Sequence, residues 1–358
     1  MSSIHDVAKR AGVSTATVSR TFRSPGLLTE ETQRRVLEAA KQLGYRPRRA
    51  RSAAATTGED APRPREAREE AIGFQFFADR PADTLQSNAF YAPMLMGAQE
   101  EAAALGMHLL VHTTDRHRLA KELPKMVQDE AIAGSLLVGT GADPATLARF
   151  SERLPHLVLL DDLDPTGQFE CVTSDGFGGM FEATNYLLGL GHRRIGFFLV
   201  EEEVRPFRER LHGYVSALFR AGITPDPAMV LGGRFEDPDE ERIARLAALV
   251  THPDPERRPT ALLASNDDYA FYALRHLRRL GLRVPEDISL IGFDDTPFST
   301  HTDPPLTTVR VDKEAMGRLA VQRLVARIRS PEGGTTHHPV HNQMPVSLVV
   351  RQSCCRPA

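Results

Sequence analysis

The chain has 358 residues, 41% hydrophobic and 25% charged, which excludes wholesale disorder and is too long for one ordinary core, so two or three compact units are expected. No apolar run approaches the roughly 18 residues of a spanning helix, the N-terminal MSSIHDVAKR lacks an apolar signal core, and Cys171, Cys354 and Cys355 fit no disulfide framework, so a cytoplasmic protein without a membrane partner is expected. The net charge of −3 is unevenly divided: residues 1–51 hold eleven Lys and Arg against four acids, a net of +7, which leaves −10 on the rest. A basic head on an acidic body points to a polyanion partner for the head alone, although a solvated charged surface would read the same way.

The head comes first. Ser3-Ile4-His5-Asp6 reads as a capping box, followed by a short helix with Ile4, Val7, Ala8 and Ala11 on one face. Gly12 supplies the left-handed residue that ends it. Ser14 caps a second helix reaching about Phe22, and Thr29 caps a third, with Val36, Ala39, Ala40 and Leu43 turned inward. Gly44 closes that helix and Pro47 prevents continuation. Two short helices joined by a tight glycine turn, and covered by a third, describe a helix-turn-helix domain over 1–47; a small bundle for protein contact is the alternative. The second helix carries small residues that permit close approach to a groove floor. Its Arg20 has the reach and the planar fork to read a guanine edge, and hydroxyls can hold phosphates.

Ile4-His5-Asp6-Val7-Ala8, Ala11-Gly12-Val13-Ser14, Thr17-Val18-Ser19-Arg20 and Gly44-Tyr45-Arg46-Pro47 together resemble the N-terminal signature of the LacI/GalR family of bacterial transcription regulators. The resemblance implies that the second helix lies in the major groove of operator DNA. Thr15, Ala16 and Arg20 would then face bases, while Ser14, Thr17, Ser19 and Arg23 would sit near phosphates.

Residues 48–70 read as a connector. Arg48-Arg49-Ala50-Arg51-Ser52-Ala53-Ala54-Ala55 could form one short helix, too short to persist alone in water, and 58–70 is a charged, Pro-rich flexible linker. The family resemblance implies a hinge helix that levers a leucine into the minor groove. The matching position here is Ala54, or Ala53 one register away, and neither has the bulk of a wedge. Phosphate contacts from Arg48, Arg49 and Arg51 are expected instead.

From 71 to 358, strand-length apolar runs (72–77, 108–112, 135–138, 157–160, 195–200, 261–264, 288–292) alternate with helical segments (93–105, 177–190, 208–221, 267–280). Such alternation predicts parallel sheets covered on both faces, and the length predicts two α/β lobes with a cleft between them. Leu190-Gly191-His192-Arg193-Arg194-Ile195-Gly196, Arg210-Leu211-His212-Gly213-Tyr214, Ser265-Asn266-Asp267-Asp268 and Ile291-Gly292-Phe293-Asp294-Asp295 resemble the same family's effector-binding core, which is similar to periplasmic sugar-binding proteins. That fold crosses between lobes three times. The crossings are expected near 173, 305 and 338, which assigns 71–173 and 305–338 to lobe 1 and 174–304 and 339–358 to lobe 2.

A polyol site needs planar hydrogen-bonding groups for paired hydroxyls and flat apolar faces for the ring. Asp161, Arg210, Asn266, Asp268 and Asp294 offer the first, and Phe90, Tyr91 and Phe235 the second; by resemblance they face the cleft. Each acid alone could equally cap a helix or sit on the surface, the reading favoured for Asp162 and Asp295. Adjacent aspartates point apart along a strand, so they do not signal paired-carboxylate catalysis. Gly139-Thr140-Gly141 is incomplete as a dinucleotide loop, and His337, His338, His341, Cys354 and Cys355 match no firm metal spacing, so no cofactor or metal is expected. The combined expectation is a non-enzymatic, homodimeric repressor of transcription that binds double-stranded operator DNA and a small effector, a sugar or sugar derivative. By the family resemblance, segments 93–105 and 312–329 are candidates for the dimer interface. A solute-binding protein without DNA function is the alternative, but it would not explain the basic head.

Overall fold

The computed structural model describes residues 4–15, 17–18, 21, 30–43, 70–78, 85, 88–115, 122–139, 143–164, 166–199, 204–232, 239–330 and 338–357. The chain divides into two compact units, Met1–Glu66 and Ala67–Ala358.

In the first unit, α1 spans Ile4–Ala11 and α2 spans Glu30–Gln42, with residues 15, 17, 18 and 21 helical between them. Val7, Ala8, Ala11, Val18, Val36, Ala39 and Ala40 form its small core. Ser14 caps the middle helix: its Oγ accepts from the Thr17 N–H at 3.1 Å. Gly12 has φ +63°, as the tight turn after α1 requires, and Arg35 from α2 donates to the Ala11 carbonyl at 2.6 Å, satisfying an orphan acceptor of the α1 C-terminus.

The second unit holds two parallel sheets. The first lobe has six strands in the order β11-β5-β4-β3-β1-β2: β1 Ala71–Ala78, β2 His108–Asp115, β3 Gly134–Val138, β4 Leu157–Leu160, β5 Glu170–Ser174 and β11 His341–Met344. Ile72, Phe74 and Phe76 of β1 alternate onto the face covered by α3 (Tyr91–Ala104) and α9 (Lys313–Arg329). Phe77 faces the other way, toward Phe150 of α4 (Pro144–Ser151). The second lobe has the order β7-β6-β8-β9: β6 Ile195–Phe198, β7 Val230–Leu231, β8 Ala261–Ala264 and β9 Ser289–Ile291. Its helices are α5 (Gly176–Leu190), α6 (Arg205–Arg220), α7 (Asp239–Val250) and α8 (Asp267–Arg279). The antiparallel pair β10 (Thr308–Arg310) and β12 (Ser347–Val349) joins its edge, because Ile291 bridges Thr307 and Asp294 bridges Arg310.

This topology moves two of the three expected crossings. The first lies at Ser174–Asp175, next to the expected 173. The second follows Arg310 rather than 305, because β10 still pairs within the second lobe. The third follows Met344 rather than 338, because His341–Met344 adds to the first lobe beside Cys171–Ser174. The polar sequence His-Asn-Gln-Met has no apolar run to mark a strand; its backbone pairing at a sheet edge supplies what burial does not. Among the described residues, no helix is long and apolar enough to cross a membrane.

The helices α3 and α9 cross at a pair of glycines. A Cβ on Gly97 would stand 2.1 Å from the Glu314 carbonyl oxygen, and one on Gly317 would stand 2.0 Å from that of Met94. Only hydrogen fits at either position, so the two backbones touch. Arg318–Glu100 (3.3 Å) and Arg329 to the Leu105 carbonyl (2.8 Å) tie the pair further along.

Candidate functional site

In a parallel sheet, groups that follow the strands' C-terminal ends gather at one edge, and in two-lobed folds that edge faces the partner lobe. Asp161 follows β4 in the first lobe; Ser265 and Asp294 follow β8 and β9 in the second. The left-handed backbone concentrates here. Of the four described non-glycine residues with positive φ, three are Asp161 (63°), Asp294 (118°) and Asp295 (52°). Aspartate tolerates this region better than most residues, and such strain persists where the surroundings hold it.

Five predicted site residues come together across the lobes. Tyr91, the first residue of α3, donates its hydroxyl to Asp161 Oδ2 at 2.9 Å. Arg210 on α6 reaches Asp294 Oδ1 at 3.4 Å and donates to the Ser265 carbonyl. Its guanidinium lies 3.8 Å from the centre of the Phe293 ring and 5.4 Å from that of Phe207. Phe90 stands edge-on to Tyr91, with ring centres 5.0 Å apart, and completes an aromatic wall with Phe76. Asp161, Arg210 and Asp294 are all buried, at 4%, 2% and 6% exposure, so the cleft holds two carboxylates and one guanidinium out of bulk water.

Burial dominates their electrostatics. It pushes the Asp161 carboxyl up to about 7, with Asp162 adding to the rise, while Arg210 and the Tyr91 hydroxyl hold it down. Asp294 is raised well above the carboxylate range by burial and by Asp267 and Asp161, against the pull of Arg210 and Lys313. Two donors here have no partner among the described residues: Arg210 Nε and Ser265 Oγ, both buried. A hydroxylated ligand could satisfy them and also use the open acceptor capacity of the carboxylates, with Phe90, Tyr91 and Phe293 as flat neighbours.

Other predicted residues fall elsewhere. Asn266 is the N-cap of α8, its Oδ1 accepting from the Tyr269 N–H at 2.9 Å. Asp268 sits exposed in the first turn of that helix, whereas its neighbour Asp267 turns inward. Asp267, passed over in the sequence, accepts from the Thr296 N–H (2.8 Å), Ser299 Oγ (2.5 Å) and Thr308 Oγ1 (2.6 Å), and so anchors the loop after β9. Asp295 is not a surface charge: it is clamped by Arg310 (2.7 Å) and Arg351 (2.5 Å), which hold its carboxyl below the usual range despite burial. Asp162 is buried as well. Lys313, also missed, is buried at the start of α9. Its ammonium donates to the backbone carbonyls of Asp294, Asp295 and Val311 and lies 5.9 Å from the Phe90 ring. Nothing in its local sequence marks it, since its partners are backbone atoms brought in by the second crossing. Phe235 lies outside the described residues.

In the head, Ser14 is exposed, and Thr15 and Thr17 are half-buried on the middle helix; Ser14 Oγ and Thr17 Oγ1 are 2.9 Å apart. Ala16, Ser19, Arg20, Arg23, Arg48, Arg49 and Arg51 lie outside the described residues.

Comparison with known proteins joins these two halves. Residues 3–48 match the family described as bacterial regulatory proteins, lacI family, and residues 184–354 match a periplasmic binding protein-like domain. The chain is 31% identical over 331 residues to the HTH-type transcriptional repressor CytR of Escherichia coli (strain K12), covering 92% of this chain and 91% of that one. It is also 31% identical over 358 residues to the repressor PurR of Haemophilus influenzae (strain ATCC 51907 / DSM 11121 / KW20 / Rd), covering 99% and 98%. Among solved structures, a transcriptional regulator CelR–cellobiose complex aligns over 99% of this chain and 100% of its own, with a TM-score of 0.68 and 29% identity. The lac repressor dimer bound to operator shares the fold at 24% identity and a TM-score of 0.64, over 99% of each chain. With likeness running from the helix-turn-helix through both lobes, the chain belongs to the LacI family of bacterial regulatory proteins.

Proposed function

We propose that this protein is a cytoplasmic transcriptional repressor that binds operator DNA sequence-specifically as a homodimer, releases or grips it according to a sugar held in the cleft, and catalyses no reaction. The cleft carries the effector half of this reading: Tyr91–Asp161 from one lobe opposes Arg210–Asp294 from the other, with unpartnered donors between aromatic faces. A ligand bridging these groups binds one arrangement of the lobes better than another, and that difference in affinity is what an allosteric effector needs. The regulator bound to cellobiose and a ribose-bound relative of this fold favour a sugar over other small molecules.

The operator half rests on the middle helix of the head, capped by Ser14, with Thr15, Ala16 and Arg20 toward bases and Ser14, Thr17, Ser19 and Arg23 toward phosphates. A two-fold dimer through α3 and α9 would pair two heads on two half-sites. Met96 on α3, with Leu110 and Val111 on the edge strand β2, leaves apolar surface for that contact. The test is a thermal-shift screen of sugars that includes cellobiose and ribose, followed by operator gel shifts with each hit. A hit that stabilises the protein and changes operator affinity is expected. A stabilising sugar that leaves operator affinity untouched would remove the allosteric part.

A further inference from the structure

We propose that Lys313 is a positioning residue of the cleft: its ammonium, carried on a helix of the first lobe, grips the backbone of the left-handed pair Asp294–Asp295 in the second and so fixes where the Asp294 carboxylate meets Arg210.

Lys313 stands where local rules disfavour it. It is the first residue of α9, directly after the N-cap Asp312, so its charge is carried at the positive end of a helix. It is also buried, at 7% exposure. A buried cation needs partners, and here they are backbone atoms. The ammonium donates to the carbonyls of Asp294 at 2.5 Å, Val311 at 3.2 Å and Asp295 at 3.4 Å. Three acceptors match the three N–H groups of an ammonium.

Two of those carbonyls belong to a strained stretch. In the second lobe, Asp294 and Asp295 are the only described non-glycine residues with positive φ, at 118° and 52°. The first lies far beyond the left-handed centre near about 57°. Such conformations persist only where the surroundings over-determine them. Asp267 holds the stretch from both ends: its N–H donates to the Phe293 carbonyl at 2.7 Å, and its carboxylate accepts from the Thr296 N–H at 2.8 Å. Arg310 and Arg351 clamp the Asp295 carboxylate. Among the described residues, Lys313 is the one side chain that reaches the carbonyls of the strained pair itself; the Val311 N–H adds a longer contact to Asp294, at 3.4 Å. A Cβ turns with its backbone, so relaxing Asp294 toward ordinary negative φ would swing its carboxylate off the Arg210 guanidinium. The carboxylate of one lobe is thus held in place from the other. That it meets an effector rests on the reading above; its positioning by Lys313 does not.

Two measurements on the full-length protein test it, both without ligand. Asp295→Gly and Asp295→Ala lose the same clamped carboxylate, so the difference between them isolates the backbone, where glycine escapes the clash that alanine suffers at positive φ. With Lys313 present, Asp295→Gly is expected to melt about 3 °C above Asp295→Ala. When each is combined with Lys313→Met, the turn relaxes and the difference should fall below about 1 °C. In hydrogen exchange, Lys313→Met alone should speed the amides of Asp294 and Thr296 more than about tenfold beyond any change at the core amides of Leu262 and Leu263. Ala315 and Met316, whose N–H groups are capped by Asp312 in the first turn of α9, should not follow them. An equal glycine advantage with and without Lys313 overturns the proposal. So does faster exchange at Ala315 and Met316 in place of the loop, which would make Lys313 part of the helix start only. A protein that passes both tests, but whose operator binding answers to no sugar, would leave the positioning standing and remove the effector reading instead.

Discussion

Replacing Arg210 by Met tests the cleft at its centre. Methionine keeps an unbranched apolar stem against Phe293 and Phe207 and removes only the charge and its donors. The guanidinium is 3% exposed and its partner Asp294 is 8% exposed, so solvent cannot replace the lost contact. Breaking a buried pair from one side costs about 3–5 kcal/mol, because the remaining charge must be neutralised or left uncompensated. Asp294 would then face Asp161 and Asp267 with Lys313 held by carbonyls. Arg210 is the main influence lowering both raised carboxyls, so removing it raises them further. The cost should therefore be small at strongly acid pH, where these groups are protonated folded or unfolded, and should grow as pH rises through their raised folded-state values. Urea unfolding at pH 5 and pH 8 measures this, with Asp294→Asn and the double variant completing a cycle. The double variant should cost clearly less than the two single ones together, since each single change strands a partner. A loss under about 1 kcal/mol at pH 8, equal losses at both pH values, or strict additivity would refute the electrostatic account of the cleft.

Four further outcomes are expected. Gly317→Ala forces a Cβ to within 2.0 Å of the Met94 carbonyl, where neither helix backbone can yield cheaply, and should cost about 3 kcal/mol in denaturant unfolding. Gly189→Ala, on an open face of α5 with nothing within 4 Å, should instead gain about 0.5–1 kcal/mol in the same assay. Arg20→Ala should cost about 1–3 kcal/mol of discrimination between operator and scrambled DNA in gel shifts, while the sugar response persists. Because Ala53 and Ala54 are too small to hold a base step open, wild type should bend its operator less than Ala54→Leu in circular-permutation assays, and its binding should fall steeply with salt.

Much of the fold was legible because burial and periodicity coincide. The strands at 157–160 and 261–264 were marked to the residue by continuous apolar runs, as expected for strands covered on both faces. The strand Glu170–Ser174 was missed because its first residue is a charge. Glu170 is only 1% exposed and is satisfied by Arg323 and Arg327 from α9, partners about 150 residues away. Asp161, Arg210 and Asp294, which the structure brings together, were each legible in the sequence: Asp161 from its strand end, Arg210 from a family motif and Asp294 from both. At Asn266-Asp267-Asp268 the sequence offers three polar residues in a row at a helix start, and it singles out Asn266 and Asp268 while passing over the buried Asp267. Only the direction of the first turn decides which one caps, which is buried and which meets water. His192, within one of the matched motifs, plays a structural part. Its ring bridges Thr260 Oγ1 (2.8 Å) and the Cys355 carbonyl (2.9 Å), fastening the C-terminal tail.

The glycine crossing gives the cleft a mechanical reach that its chemistry alone lacks. Tyr91 opens α3 and Lys313 opens α9, so the two helices that cover the first sheet both begin at the cleft. A few residues further on, Gly97 and Gly317 bring their backbones into contact, and a side-chain rotation there cannot absorb a shift of one helix against the other. Arg318–Glu100 and Arg329–Leu105 hold the same pair along its length. A ligand that pulls on Tyr91 or displaces Lys313 from the carbonyls of Asp294 and Asp295 must therefore move α3 and α9 together, as one body. Those helices carry Met96 and border the edge strand with exposed Leu110 and Val111, the surface proposed for the dimer. Cleft occupancy and subunit contact then become two readings of one rigid element, and a bistable interface can turn a small displacement into a change of operator affinity.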